Sequence, residues 1–338
     1  MLNKNNTDSA ATIGIVVIGR NESQRLLLSL QSMHSSRCPL IYVDSGSTDH
    51  SVSIAKPLVN SVLELDAVKP FSAARARNEG FERITTLFPA LELIQFVDGD
   101  CVLCEGWLEA ARQSMLSDTK RAVIIGHLQE CNPDISIYNR LCAMEWKSPA
   151  GDLKNFGALG GIFMVRVDVF RALGGFNANV IAGEDSEFGV RLSLAGYRVT
   201  KIDHDMAIHD ANMTTFAQWW KRAVRAGHAI GQRAHLNGKT AVKDCVKERK
   251  STLFWGISVP LLALLLLIPT RGVSILLLLA YFVLALKIYL SRRNQNESVS
   301  DARVYAKFIV LGKLANGLGL LKFYFNRFKQ RYEIIEYK

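Results

Sequence analysis

The stretch that most constrains this chain is Leu91–Asp100, LELIQFVDGD. A short apolar run, Leu93, Ile94, Phe96 and Val97, stops abruptly at Asp98, Gly99 and Asp100. β-Branched and aromatic residues in so short a run fit a buried strand of a parallel sheet. Ligands of open α/β sheets bind just outside the carboxyl ends of such strands. Two carboxylates there, with a glycine between them that lets the backbone bend, suit one hard cation, Mg²⁺ or Mn²⁺. That cation would in turn hold phosphate oxygens. The same three residues are also an ordinary solvated turn, so the neighbouring segments have to decide.

They repeat the pattern. Ile13–Ile18 (IGIVVI) reads as a strand and is followed by Gly19-Arg20-Asn21-Glu22. Residues 23–34 place Leu26, Leu27 and Leu30 on one helical face. Leu40–Val43 is a second strand, ending in Asp44-Ser45-Gly46-Ser47-Thr48-Asp49, where Gly46 suits a tight bend and Ser47 or Thr48 a helix cap. Strand 59–65, helix 71–87 and strand 92–97 continue the alternation, which predicts a doubly wound, Rossmann-like and mostly parallel sheet. Asp44 then shares a rim with Asp98 and Asp100, where a carboxylate accepts hydrogen bonds from a base or ribose. No GxGxxG follows the first strand and no GxxxxGK[ST] occurs anywhere, which disfavours a dinucleotide oxidoreductase and a P-loop NTPase. Arg75, Arg77 and Asn78 fall early in the third helix, where arginines suit a diphosphate, although such a pair is also a common solvated face.

Downstream, residues 122–128 read as a strand and 131–157, with Pro133, Pro149 and Gly151, as an irregular loop over the site. Gly157–Val165 is a glycine-rich approach into a strand, a device for bringing backbone close to a bulky ligand. Gly183-Glu184-Asp185 opens a helix ending at Gly196, and acidic residues in a first turn also complement the helix dipole. After strand 197–202 come Asp203-His204-Asp205 and Ile208-His209-Asp210. Of the two histidines, His209 is the preferred third protein ligand for the cation and His204 the lesser choice. Residues 214–229 read as an amphipathic helix carrying Trp219 and Trp220, whose rings suit a membrane interface or a sugar face. Arg222 and Arg225 on it are spaced to face a diphosphate.

The formal net charge is +10, with basic residues dense at 239–250, 287–293 and 322–331. They flank apolar segments, which points to an anionic membrane surface and phosphate-bearing substrates, not to nucleic acid. Residues 253–269 and 273–290 are apolar runs at the short limit for spanning, joined by Pro269-Thr270-Arg271-Gly272. They predict a transmembrane helical hairpin with both ends, flanked by basic residues, in the cytoplasm. Residues 302–325 interrupt their apolar positions with Lys307, Lys313 and Lys322, which predicts a helix lying at the interface. Two spans cannot enclose a conduit, so a transporter is a poor reading. Six scattered cysteines show no disulfide framework, in keeping with a reducing cytosol, and the CxxC of Cys101 and Cys104 lacks the two further ligands a zinc site needs. The opening residues are polar and show no signal core.

Taken together, IVVIGRNE, VDSGSTD, ARNEG and VDGD, in this order and at this spacing, resemble the family 2 glycosyltransferases of GT-A fold. The resemblance implies a nucleotide-diphosphate sugar donor, with Arg20, Glu22, Asp44, Arg77, Asp98, Arg222 and Arg225 around it. Asp98, Asp100 and His209 would surround Mg²⁺ or Mn²⁺. It also implies that the segment containing Gly160 and Gly161 belongs to the acceptor half, with Trp219 and Trp220 near the acceptor. Asp185 is implied as the base of an inverting transfer, with Glu184 the second choice. Processive members carry a QxxRW pattern near Gln218; this chain does not, which puts long-chain synthesis through its own pore in doubt.

The expected organisation is a disordered stretch over 1–11, a GT-A domain over 12–235 and a basic juxtamembrane linker over 236–252. A hairpin over 253–290 and a cytosolic or interfacial segment over 291–338 complete it. The expected activity is transfer of a sugar to a lipid-linked oligosaccharide or polysaccharide precursor at the cytosolic face of an inner membrane, with polysaccharide-assembly proteins as further partners. Its rivals are a polyprenyl-phosphate glycosyltransferase, an inert scaffold of an assembly complex, and a nucleotidyltransferase. The last lacks its glycine-rich loop after the first strand.

Overall fold

The computed structural model describes residues 12–154, 156 and 159–329. The expected disorder of 1–11, the beginning of the glycine-rich approach at 157–158 and the basic tail beyond 329 lie outside the described residues. The chain divides into two compact units, residues up to 131 with 146–211, and 132–145 with 212 onward.

In the first unit, β1 (Ile13–Gly19), α1 (Ser23–His34), β2 (Leu40–Asp44), α2 (Ser51–Ala55), β3 (Ser61–Glu64), α3 (Ala73–Leu87) and β4 (Leu93–Asp98) wind alternately. Then come β5 (Cys101–Leu103), α4 (Trp107–Leu116) and β6 (Arg121–Glu130), followed by α5 (Ile137–Glu145), which belongs to the second unit. The chain returns with β7 (Gly151–Asp152), β8 (Phe163–Arg166), α6 (Val167–Ala172), α7 (Glu184–Leu194) and β9 (Arg198–His209). These strands form one nine-stranded sheet ordered β3-β2-β1-β4-β8-β6-β9-β5, with β7 beside β9. Parallel pairing joins β1 to β2 and β4, β2 to β3, and β6 to β9. The β4–β8, β6–β8, β5–β9 and β7–β9 pairs are antiparallel. The expected mostly parallel sheet therefore holds for its first four strands, and the rest is mixed. β1, β2 and β4 are buried nearly throughout, the burial their unbroken apolar runs require.

Two segments differ from expectation. The strand read over 197–202 continues to His209, so Asp203, His204 and Asp205 lie within β9 and not in a loop after it. Cross-strand hydrogen bonds hold that polar stretch: His127 Nε2 is 2.8 Å from Asp203, and Gln129 donates to Asp205 at 2.8 Å. The stretch 131–157 is not uniformly irregular, because α5 occupies its middle. Behind β4 and β8, Phe81, Phe96, Phe163, Phe170, Phe176 and Phe188 form one aromatic cluster, with neighbouring ring centroids 4.5–6.0 Å apart.

The second unit is helical: α5, α8 (Phe216–Asn237), α9 (Val246–Leu253), a π-helical turn over 254–258, α10 (Val259–Leu265), a 3₁₀ turn over 273–278, α11 (Leu279–Arg293) and α12 (Val299–Phe328). α8 opens with a capping box in which Thr215 and Gln218 satisfy each other's backbone N–H groups. α8 and α12 run parallel: Trp219 meets Phe308, Val224 meets Gly319, and His235 meets Phe323. Their backbones come together where side chains are smallest. A Cβ on Gly319 would overlap the Val224 carbonyl, and one on Gly227 would overlap the Asn316 backbone.

The arms over 253–290 do form a hairpin, closed by Ser274 Oγ donating to the Ala263 carbonyl at 2.7 Å and by the Tyr281 hydroxyl on the Trp255 carbonyl. Its first arm is helical only to Leu265, about 20 Å from Leu253, short of the roughly 30 Å of a bilayer core. Among the described residues, two helices are long and apolar enough to cross a membrane: Val273–Arg293 (mean hydropathy 2.4, 6% buried) and Val299–Phe328 (1.4, 39% buried). α12 is thus one continuous helix that contains the segment read over 302–325 and extends it by three residues at each end. Its lysines are accommodated locally, as where Lys313 Nζ donates to Ser251 at 3.1 Å.

Candidate active site

The rim at the carboxyl ends of β1, β2 and β4 is built around one buried cation. Arg77, in the first turns of α3, donates from Nη2 to Asp98 Oδ1 at 2.6 Å and from Nη1 to Glu184 Oε1 at 2.7 Å. It is 2% exposed and lies over the Phe176 ring at 5.8 Å. Burial opposes the charge, but Asp98, Glu184 and Asp185 together outweigh burial and push the guanidinium pKa further up. Ser72 caps α3 by accepting from Arg75 N, which fixes where Arg77 leaves the helix. Gly161 leaves room for the pair: a Cβ there would overlap Arg77 Nη2 and come within 2.9 Å of Asp98 Oδ2. Gly160 has a positive φ of 70° and open space around it.

Arg77 is therefore a structural pivot joining β4 to α7, and its two forks are already engaged by carboxylates, unlike the diphosphate-facing arginine expected from sequence. Glu184, 6% exposed, is held by the same guanidinium and is committed to that pair. Asp185, one residue on, is half-buried at the start of α7. It faces the Arg77 charge, and it stands where backbone N–H groups favour a carboxylate.

Asp44 is buried and organises the turn after β2. Its oxygens accept from Tyr42 Oη (2.9 Å), Gly46 N (2.9 Å), Ser47 N (2.7 Å) and Ser47 Oγ (2.5 Å). Burial, with the Asp44 charge, pushes the Tyr42 phenol up, so it remains a donor. Arg20 is exposed over the Phe71 ring at 5.7 Å. Glu22 pairs with Arg25 at 2.6 Å.

The expected cation ligands regroup. Asp98 Oδ1 is taken by Arg77, while Asp100, 5% exposed, lies with Oδ1 3.5 Å from His209 Nε2. Antiparallel pairing of β5 with β9 brings the histidine to the acidic turn. The pairing also adds Cys101, whose CxxC with Cys104 the sequence leaves short of the ligands of a zinc site. Asp100, Cys101 and His209 offer ligand atoms within 4.8 Å of one another. Trp146 stands edge-on to His209 with centroids 4.7 Å apart, a further contact not anticipated. His204 sits instead beside Trp107, with Nδ1 2.9 Å from the Asp205 carbonyl oxygen.

Trp219, Trp220, Arg222 and Arg225 all belong to the second unit. Trp219 is 5% exposed and packs on Phe308 and Phe216, so its ring is used in the helical core and not offered to a sugar. Trp220 is half-buried beside Phe216, Arg222 pairs with Glu145 at 2.7 Å, and Arg225 is half-buried.

A crossover sheet of this order, continued by mixed strands and carrying an acidic rim, is a GT-A glycosyltransferase fold. The model of glycosyl transferase family 2 matches residues 14–174, and that of glycosyl transferase family group 2 matches 143–292, together most of the chain. The chain belongs to glycosyltransferase family 2 and is a glycosyltransferase. Similar proteins include glycosyltransferase AglE of Haloferax volcanii, 24% identical over 65% of this chain and 73% of that protein. Another is the succinoglycan biosynthesis protein ExoA of Rhizobium meliloti, 22% identical over 61% and 66%. Among solved structures, the mannosyltransferase PcManGT of Pyrobaculum calidifontis, in complex with GDP-Man and Mn²⁺, superposes with a TM-score of 0.55 at 16% identity, covering 91% of this chain and 87% of that one. The chain spans 43% of one longer solved neighbour.

Proposed function

We propose that this protein transfers a sugar, with inversion, from a nucleotide-diphosphate sugar to a membrane-associated acceptor, a lipid-linked oligosaccharide or polysaccharide precursor of the cell envelope. The observation that carries the proposal is the division of labour among the rim carboxylates. Arg77 occupies Asp98 and Glu184, Asp100 and His209 come together as candidate cation ligands, and Asp185 stands beside the Arg77 charge at a helix start. Asp185 takes the proton of the acceptor hydroxyl as that oxygen attacks the anomeric carbon. Asp100 and His209 would hold Mg²⁺ or Mn²⁺, whose charge would offset that of the leaving diphosphate; PcManGT is solved in complex with GDP-Man and Mn²⁺. Asp44 keeps the turn after β2 rigid, and Arg20 and Glu22 border the donor. Gly160 and Gly161 leave a lane for the acceptor.

The succinoglycan and AglE relatives support a glycan-building role. The apolar hairpin and α12 support placement at an inner membrane, with both hairpin ends cytoplasmic. A reporter active only outside the cytosol, fused to Lys338, is expected to stay silent; strong signal would mean that α12 spans. Polysaccharide-assembly proteins are natural partners of such an enzyme.

Asp185→Asn keeps the size of the side chain but cannot accept the proton. Turnover is expected to fall roughly two to four orders of magnitude, with nucleotide affinity on the same purified variant retained. Near-normal turnover would move the base elsewhere, and loss of both would make Asp185 a structural cap.

A further inference from the structure

Cys101 is the member of the Asp100–Cys101–His209 cluster that a carboxylate-and-imidazole site leaves without a task. It is fully buried and opens β5, and its register partner across the antiparallel pair is His209. Directly opposed residues of such a pair project from the same face, so thiol and imidazole are brought to one spot by strand geometry. The Cys101 thiol donates to Asp100 Oδ1 at 3.3 Å, and the same oxygen lies 3.5 Å from His209 Nε2.

The donor set discriminates between cations. Zn²⁺ takes thiolate, imidazole and carboxylate ligands together, whereas Mg²⁺ takes oxygen ligands. Thiolate also favours borderline metals over hard ones, beyond the preference that imidazole and carboxylate already supply.

We propose that Cys101 sets the cation selectivity of this site, as a third protein ligand that favours a borderline divalent cation such as Zn²⁺ or Co²⁺ over Mg²⁺. Binding makes a metal–sulfur bond and releases the S–H proton to solvent. The inference rests on the proposal that Asp100 and His209 hold the transferase's cation.

The test is titration of the purified full chain with Co²⁺. A thiolate-to-cobalt charge-transfer absorption is expected in the natural chain and in a variant with Cys38, Cys104, Cys131, Cys142 and Cys245 all replaced by serine. It is expected to vanish in Cys101→Ser. Zn²⁺ should displace the cobalt, and its affinity relative to Mg²⁺ should fall at least tenfold in Cys101→Ser. Cobalt that binds through Asp100, as shown by loss of binding in Asp100→Ala, yet gives no thiolate band overturns the role of Cys101 and leaves the cation site standing. A band that survives Cys101→Ser overturns it as well. Cobalt binding that is indifferent to both Asp100→Ala and Cys101→Ser overturns the cation site and this inference together.

Discussion

The two units hold themselves together by opposite means. In the first, the rim hangs on a buried charge, Arg77, set between two carboxylates and backed by the Phe176 ring. In the second, α8 and α12 meet through the absence of side chains, at Gly227 and Gly319. A charge clamp fixes directions and fails when one partner is lost, because the others stay buried and uncompensated. A glycine seam gains dispersion contacts over its length and fails when anything is added.

The largest expected effect is therefore Arg77→Met in the first unit. Removing the cation strands Asp98 and Glu184, and breaking a buried pair in this way typically costs about 3–5 kcal/mol. Denaturant unfolding should show the loss, and Arg77→Lys should recover only part of it, since an ammonium lacks the two forks. Stability unchanged in Arg77→Met would refute the clamp.

Next come paired glycine substitutions that set the units against each other. In Gly319→Ala the obstacle is the Val224 backbone, which yields only if the helices separate; overpacking of this kind typically costs about 1–3 kcal/mol. In Gly161→Ala the obstacle is the end of the Arg77 side chain, so melting should move less while turnover falls. Equal shifts in melting temperature would erase the distinction.

The smallest effect is one of pH. His228 is fully buried on α8 against Phe323, with centroids 5.4 Å apart, and neither ring nitrogen has a hydrogen-bond partner. Burial, helped by the Lys322 charge, lowers its pKa from 6.5 to about 4. The unfolded chain thus binds a proton between those values that the folded chain refuses. The stability this residue contributes is full above pH 6.5 and declines as the pH falls toward 4. Detergent-solubilised protein should show a shallower decline over that window in His228→Phe than in the natural chain, and identical slopes would exclude His228 as a source.

Much of the first unit was legible because its signals are local. Helices α1 and α3 and strands β1 to β4 fall within about two residues of where apolar runs and cap residues put them, and the acidic turn does lie at the rim. The polar run at Asp203–Asp205 hid the length of β9, because its hydrogen bonds go to His127 and Gln129, far back in sequence. Pro133, Pro149 and Gly151 likewise masked α5. Within the site, the carboxylates could be read but not their assignments. Arg77 meets partners 21 and 107 residues away, and Cys101 faces His209 only through strand register. In the second unit, apolar content predicted membrane-seeking helices but not which of them pack. Gly319 and Gly227 carry that information only once the parallel pairing of α8 and α12 is known.

The excursion of residues 132–145 out of the first unit has a consequence for how the protein is made. α5 buries Leu141, Cys142 and Met144, and the helix it joins through Tyr138 on Phe308 and Arg140 on Asp301 is α12. α12 leaves the ribosome about 180 residues later, roughly ten to forty seconds at 5–20 residues per second. During that interval the first unit is synthesised to completion while Tyr138 and Arg140 of α5 still lack their partners on α12. A fragment cut after residue 211 would keep that condition permanently. Expression of the first unit alone should therefore yield aggregated material unless 132–145 is replaced by a short polar linker.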